Sequence, residues 1–171
     1  MSLTPPAGVS LRPYLARDLA RITALFCASI DALTAEDYDS DQRAAWAAAV
    51  DDEARFGADL ERCVTLVAEA EGEIVSFIAL KNNDTIEMLY TAPDFARRGI
   101  AAFLCQAIEM LAQGRKALAL KVQASDSAYS FFEKRGFVPM QRNTVSLRGE
   151  WLANTSMRKE LQPETSGSEN Q

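Results

Sequence analysis

Two arginines and a glycine, Arg97, Arg98 and Gly99, stand directly before an apolar helical pattern and could together bind a phosphate. The first N–H groups of a helix have no backbone partner and carry a partial positive charge, so they attract anions. Gly99 allows a ligand to approach the backbone closely, and Ala101 keeps the next turn small. The group predicts a pyrophosphate site, although the same pattern, taken alone, fits an ordinary turn between a strand and a helix.

The preceding residues predict the strand that leads into this turn. Residues 85–90 alternate around Ile86, Met88 and Tyr90, as a strand of a sheet does. Pro93 removes a backbone donor and ends the strand. On this alternation, Glu87 lies opposite Met88 and Tyr90, on the side of Leu89 and Thr91.

A helix and another strand follow the turn. Apolar residues from Ile100 to Leu111 recur on one helical face, which ends near Gly114. Leu118, Leu120 and Val122 then alternate as in a strand. Two hairpins complete the pattern, at 63–70 with 73–81 around Glu71-Gly72, and at 138–147 with 150–161 around Arg148-Gly149. Antiparallel hairpins with one parallel crossover predict a mixed α/β sheet.

The composition predicts one domain and excludes several kinds of chemistry. The chain has 171 residues, no histidine, three cysteines and a formal net charge of −6. Without histidine there is no His-based triad, and neither a metal nor a catalytic cysteine is expected. The negative charge argues against a nucleic acid or an acidic membrane as partner. With no long apolar run and no leader sequence, we expect a cytoplasmic protein.

Two motifs resemble those of the GNAT superfamily of N-acetyltransferases. Ala96-Arg97-Arg98-Gly99-Ile100-Ala101 is similar to the family's acyl-CoA motif Gln/Arg-x-x-Gly-x-Gly/Ala, with Ala96 at the first position. Ser125-Asp-Ser-Ala-Tyr-Ser-Phe-Phe-Glu-Lys-Arg-Gly-Phe137 is similar to Asn-x-x-Ala-x-x-Phe-Tyr-Glu-Lys-x-Gly-Phe. The resemblance covers about residues 9–161. The residues outside it have too little apolar content to order themselves, so we expect a flexible N-terminus at 1–8 and a disordered tail at 162–171.

The resemblance implies a fold and a cofactor site. The expected fold is a single α/β domain with a mixed, mostly antiparallel central sheet flanked by helices, and a V-shaped cofactor cleft between the central strands. The expected cosubstrate is acetyl-CoA, without a metal. The residues assigned to it are Leu89, Tyr90, Thr91, Ala96, Arg97, Arg98, Gly99, Ile100, Ala101, Ala102, Ser125, Phe131 and Phe132.

Two residues are candidates for proton transfer. Glu87 precedes the strand end where the resemblance places the thioester, and would take the amine proton through water, unless it is simply an exposed carboxylate. The tyrosine that the family usually carries four residues before the Gly of its second motif is Phe132 here, so the general acid is missing. Tyr129, one helical turn earlier, is the candidate replacement, with surface packing as its alternative.

The acceptor is expected beside the helices after the first strand, where acidic residues cluster. The candidates are Asp37, Tyr38, Gln42 and Trp46, together with Asn154 from the last hairpin. The alternative is a solvated charged face in which Asp18 and Ser40 cap helices and Trp46 packs in the core.

The sequence therefore predicts an enzyme that transfers an acetyl group from acetyl-CoA to a primary amine by direct attack in a ternary complex. The acceptor amine, on a small molecule or a protein, is not identified. The main alternative is a non-catalytic module that senses acyl-CoA. The sequence does not show whether exposed strands pair two copies of the chain into a homodimer.

Overall fold

The structure is a computed structural model that describes residues 2–162. Apart from Gln162, the predicted tail at 162–171 therefore lies outside the described residues. The strands are β1 (Val9–Pro13), β2 (Val64–Ala70), β3 (Glu73–Lys81), β4 (Thr85–Thr91), β5 (Ala119–Ser125), β6 (Val138–Leu147) and β7 (Glu150–Glu160). The helices are α1 (Leu19–Leu33), α2 (Ser40–Ala47), α3 (Glu53–Arg62), α4 (Ile100–Gly114) and α5 (Tyr129–Lys134), with short 3₁₀ turns at Ala16–Asp18, Ala48–Asp51 and Pro93–Phe95.

The seven strands form one sheet in the order β1-β2-β3-β4-β5-β7-β6. Every neighbouring pair is antiparallel except β4 and β5, which run parallel and pair only at Thr85 with Lys121 and at Ile86 with Val122. Beyond these two positions the strands diverge and leave a V-shaped opening. The predicted mixed, mostly antiparallel sheet flanked by helices is confirmed.

Helices cover both faces of the sheet, and each face has its own core. On the face that we call the α4 side, Leu104 and Ile108 of α4 and Phe132 of α5 pack with the strands. On the opposite face, the α1 side, Ile22 of α1 and Leu60 of α3 pack with other strand residues. The diverging strands therefore open a passage between two separately packed layers.

Both predicted hairpins are confirmed, and their turns explain why. Glu71 and Gly72 have φ of 54° and 78°, and Arg148 and Gly149 have φ of 45° and 83°. Two consecutive residues with positive φ form the turn whose twist matches that of antiparallel strands. The prediction for Leu118 is wrong, because Leu118 precedes β5 and its side chain is 77% exposed.

A β-bulge in β4 breaks the predicted alternation of that strand. Ala79 pairs with Met88, but the next residue of β3, Leu80, pairs with Ile86, so Glu87 has no partner on β3. As a result, Ile86 packs on the α4 side while Met88 and Tyr90 pack on the α1 side. The placement of all three on one face is therefore wrong, because an extra residue reverses the direction of every side chain before it.

The two predicted helix caps are not formed as expected. Ser40 is the first residue of α2, and Asp39 is its cap, accepting a hydrogen bond from the Gln42 N–H. The Asp18 side chain makes no capping bond to α1. It is buried, accepts hydrogen bonds from the Arg12 guanidinium at 2.7 and 2.9 Å, and accepts another from the Leu15 N–H. The Arg12 bond, opposed by burial, lowers the pKa of Asp18.

Cys27, Cys63 and Cys105 are free thiols. Burial is the main cause that raises the pKa of all three, to about 12 for Cys105. Among residues 2–162, no helix is long and apolar enough to cross a membrane.

Candidate active site

A cleft of about 550 Å³ lies where β4 and β5 diverge. Its walls come from β4, the start of α4, β5 and α5, and also from α1 and α2 on the other face of the sheet. Residues from both packed layers therefore line the cleft. All the residues that the sequence assigned to the cofactor line it, with the exception of Arg98.

The start of α4 forms one end of the cleft. Gly99 caps this 15-residue helix with φ of 80° and ψ of 6°. A Cβ atom built on Gly99 would meet nothing within 4 Å, so the space beside its backbone is open. Arg97, also at positive φ, lines the cleft and is exposed. The free N–H groups of the first turn, this space and the arginine suit a pyrophosphate.

Arg98 lies outside this arrangement. Its guanidinium carbon is 4.8 Å from the centre of the Phe95 ring, in a cation–π contact. Phe95 itself lines the cleft. Arg98 therefore braces the turn before α4 instead of lining the cleft.

The bulge places Glu87 at the edge of the cleft. Glu87 is exposed and lines the opening. Burial raises the pKa of the Cys63 thiol and of the Tyr90 hydroxyl, and the charge of Glu87 adds to both shifts. Because Glu87 is the unpaired residue of the bulge, strict alternation no longer places its side chain with Leu89, opposite Met88 and Tyr90.

The β4 edge that faces β5 is the second feature of this region. β5 pairs with β4 only at Thr85 and Ile86. Beyond Ile86, the backbone groups of β4 on that edge have no partner strand within the described sheet. An extended ligand arm could pair with them as an added strand.

Helix α5 presents one face to the cleft. Ala128, just before its first residue, lines the cleft with Phe131, Phe132 and Arg135. The spacing of three, four and seven residues is that of one helical face. Arg135 was not predicted, although helical spacing from the two phenylalanines identifies it. Its guanidinium lies 4.7 Å from the Phe131 ring centre, and its buried Nε has no hydrogen-bond partner among the described residues.

The structure does not bring the two predicted catalytic residues together. Tyr129 is absent from the cleft lining and faces a separate, open depression that also contains Asp126 and Arg142. Tyr129 follows Ala128 by one residue, so its side chain points about 100° away from the cleft-lining face. This position gives no support to Tyr129 as the general acid. Phe132, at the family's tyrosine position, is buried.

Tyr38 holds three segments together. Its hydroxyl donates to the Ala153 carbonyl of β7 at 2.6 Å and accepts from the Asp126 N–H at 2.9 Å. Burial raises the pKa of this hydroxyl. Because the single hydroxyl proton is already donated, Tyr38 positions the turn between β5 and α5 and has no proton to donate to a substrate. Asp37 adds to the contact by accepting a hydrogen bond from Ser127.

The other acceptor candidates divide into one residue in the cleft and two outside it. Trp46 lines the cleft, and its Nε1 donates to the Tyr90 hydroxyl at 3.1 Å. The Gln42 side chain accepts from the Asp39 N–H and donates to the Trp151 carbonyl. Asn154 lies outside the cleft, where its Oδ1 accepts from Asn143.

On the α1 side of the cleft, four lining residues were not predicted, three on α1 or just after it and one on β4. They are Ser29, Leu33, Thr34 and Met88. On α1, Ser29 and Leu33 are four residues apart, one turn apart on a helical face. This face has the pattern of ordinary core because it continues the buried positions of α1, so the sequence carried no signal that it reaches the cleft.

The acidic residues after β1 do not form the expected wall. Asp39 and Asp52 cap helices, and Asp51 pairs with Arg148 at 3.0 Å. Among the residues that line the cleft, Glu87 is the one carboxylate. In the described part of the chain, no group of three or more His, Cys, Asp or Glu side chains could hold a metal ion.

Comparisons with known proteins agree with this geometry. A family model described as "Acetyltransferase (GNAT) domain" matches residues 34–161. The N-acetyltransferase YafP of Escherichia coli K12, described as uncharacterised, is 30% identical over 151 residues, which are 88% of this chain and 95% of YafP.

Solved structures of the same fold are also similar. A GCN5-related N-acetyltransferase from Rhodopseudomonas palustris has a TM-score of 0.88 and 52% identity over 94% of this chain and 99% of that chain. The PaiA N-acetyltransferase of Thermoplasma acidophilum, solved in complex with coenzyme A, shares the fold at a TM-score of 0.74 and 17% identity, over 89% of this chain and 98% of that chain. With the cleft, the motif residues and these relatives together, the chain belongs to the GNAT superfamily of N-acetyltransferases and is an acyltransferase enzyme.

Proposed function

We propose that the protein transfers an acetyl group from acetyl-CoA to a primary amine by direct attack in a ternary complex. One observation carries the proposal: a single cleft joins an anion-binding helix start at Gly99 to a carboxylate at Glu87, with the unpaired edge of β4 between them. The pyrophosphate would bind at the first turn of α4. The pantetheine arm would run along β4, and the amine would enter from the α1 side.

The reaction forms one bond and breaks one. The neutral amine nitrogen attacks the thioester carbonyl carbon, the N–C bond forms, and the C–S bond breaks to release coenzyme A. Backbone N–H groups of Leu89 to Thr91 would stabilise the negative charge that develops on the carbonyl oxygen. No covalent enzyme intermediate is needed, because both reactants occupy one cleft.

Glu87 would accept the proton that the nitrogen loses. An alkylammonium has a pKa of about 10, so presenting it neutral at pH 7 costs about 4 kcal/mol unless a base takes the proton. Glu87 lines the cleft that the amine would enter, and water could connect the two. It is exposed, so the proton can pass on to solvent.

We assign no side chain to the general acid. A thiol has a pKa of about 8.5, so coenzyme A can leave as a thiolate and be protonated by water. An acid usually contributes about 10²–10⁴-fold, and its loss leaves a slower but active enzyme. Buried Phe132 instead packs against Phe131 and Phe137, with ring centres 5.1 and 5.2 Å apart.

The test measures binding and turnover on one sample. Acetyl-CoA binding is followed by calorimetry, and thiol release from acetyl-CoA is followed with a panel of primary amines. The three free cysteines are blanked with protein alone. Amine-dependent thiol release is expected. Binding without release from any amine would favour an acyl-CoA sensor, and no binding would contradict the proposed function.

A further inference from the structure

The α1-side wall of the cleft, which we define as Ser29, Leu33, Thr34, Trp46, Met88 and Tyr90, differs chemically from the rest. None of its members carries a formal charge at neutral pH. Burial also raises the pKa of the Tyr90 hydroxyl, which keeps it neutral. An acceptor that reaches the thioester from this side therefore meets an uncharged wall, in which apolar and aromatic side chains stand beside the hydroxyls of Ser29 and Thr34.

Two of the four polar side chains of this wall donate a hydrogen bond within the protein. The Trp46 Nε1 donates to Tyr90, and the Thr34 hydroxyl donates to the Ile30 carbonyl. The Trp46 ring also packs edge-on against Tyr38, with centres 5.4 Å apart. What Trp46 offers to a ligand is thus the ring and not its N–H group.

The cleft holds a single carboxylate for a cation. Glu87 is the one acid among its lining residues, and three acids near α2 and α3 are engaged elsewhere, Asp39 and Asp52 as helix caps and Asp51 in an ion pair with Arg148. One ammonium can be accommodated beside Glu87. A second ammonium, carried further into the α1-side wall, would lose its water without gaining a partner, which is strongly unfavourable.

We propose that the acceptor is a monoamine whose nitrogen is attached to an apolar body, and that the α1-side wall selects it over diamines and polyamines. This inference rests on the proposed function. The amine nitrogen lies near Glu87, the body of the acceptor packs against Trp46, Met88 and Leu33, and acetyl transfer proceeds as described above.

Two amines of equal length test the selection. Heptylamine and 1,6-diaminohexane have the same number of heavy atoms and differ by a terminal methyl group in place of an ammonium. We expect kcat/KM for thiol release to be higher for heptylamine by about 10- to 200-fold, the range over which pockets separate ligands by small apolar groups. Equal values, or a faster diamine, would overturn the inference while leaving the proposed function intact.

A charge variant tests whether the wall itself makes the selection. Leu33 is at the end of α1 and 40% exposed, so Leu33→Glu adds a carboxylate to the wall at a tolerant position. The new carboxylate would pair with the second ammonium of the diamine. The ratio of kcat/KM for heptylamine to kcat/KM for 1,6-diaminohexane should therefore fall by only about fivefold, since a partly exposed ion pair is weak. Leu33→Gln is the matched neutral control, and it should give the diamine no comparable gain.

The outcomes separate the two proposals. If the ratio is unchanged in a Leu33→Glu variant that melts at the temperature of Leu33→Gln, the α1-side wall is not the selecting surface and the inference fails. If no amine supports thiol release although acetyl-CoA binds, the proposed function fails, and the inference fails with it.

Discussion

Gly99 is the residue at which the anion-site assignment is most directly tested. Gly99 and Gly72 have nearly the same φ, 80° and 78°, and a Cβ added to either meets nothing within 4 Å. Gly99 lines the cleft, whereas Gly72 lies in the turn between β2 and β3. Any other residue at such a φ costs about 1–2 kcal/mol. Gly72→Glu is therefore a control for the strain and the charge of Gly99→Glu.

The two variants should differ in acetyl-CoA binding. The carboxylate that Gly99→Glu introduces, about 6 Å from a bound pyrophosphate, would repel each unit charge by about 3 kcal/mol at an effective dielectric constant of about 20. That corresponds to a loss of about 100-fold in affinity, and halving the repulsion for solvent screening still leaves about tenfold. Calorimetric titration with acetyl-CoA measures the loss, and thermal unfolding compares the two stabilities. A Gly99→Glu protein that binds like the parent, or a Gly72→Glu protein that loses as much affinity, would refute the assignment.

Three other substitutions test separate parts of the structure. Glu87→Gln removes the proposed base, so the pH–rate profile should move toward alkaline pH, where more of the amine is already neutral. Tyr129→Phe should change kcat by less than about threefold, because Tyr129 faces away from the cleft. Asp18→Asn should lower the free energy of unfolding at pH 7 by about 2 kcal/mol, because it breaks a buried pair while Arg12 retains Glu69. Since folding lowers the pKa of Asp18, the parent has this stabilisation above the unfolded value near 4 and loses it as the pH falls further.

Each of these three predictions has an outcome that would contradict it. A pH–rate profile that does not move would exclude Glu87 as the base. If Tyr129→Phe lowers kcat by about 100-fold or more, Tyr129 regains its role as general acid. For Asp18, chemical denaturation at pH 7 and at pH 3 measures the difference in the free energy of unfolding between the parent and Asp18→Asn. A difference that is the same at both pH values would mean that the ion pair with Arg12 is not its cause.

Local sequence signals predicted the parts of the fold that depend on neighbouring residues. Each hairpin turn has two residues with positive φ, and the second of them is a glycine, Gly72 or Gly149. Glycine adopts positive φ without strain, so the two hairpins could be located from the sequence. The strand, turn and helix around Gly99 were likewise determined by Pro93 and by an apolar face of period 3.6. These features come from short-range sterics and from the burial of one helical face, and both are visible in a sequence window.

Other features depend on which segments meet, and no local pattern contains that information. The Tyr38 hydroxyl forms hydrogen bonds with Asp126 and Ala153, which are 88 and 115 positions further along the chain. Its position between the β5–α5 turn and β7 could therefore not be predicted from the residues around it. The position of Tyr129 is a different case. Helical spacing was available in the sequence: Arg135 is four and three residues from Phe131 and Phe132 and shares a face with both, whereas Tyr129 shares a face with Phe132 alone.

The bulge at Glu87 connects the fold to the proposed reaction. Without the extra residue, Ile86, Met88 and Tyr90 would all face the same side of the sheet. With it, Ile86 packs in the α4-side core, while Met88 and Tyr90 face the α1 side. One strand thereby supplies side chains to both layers at the point where β5 diverges, and it carries a carboxylate at the junction. In the proposed function, a cosubstrate that binds from the α4 side and an amine that enters from the α1 side meet at this strand, which is the geometry that direct transfer in a ternary complex requires.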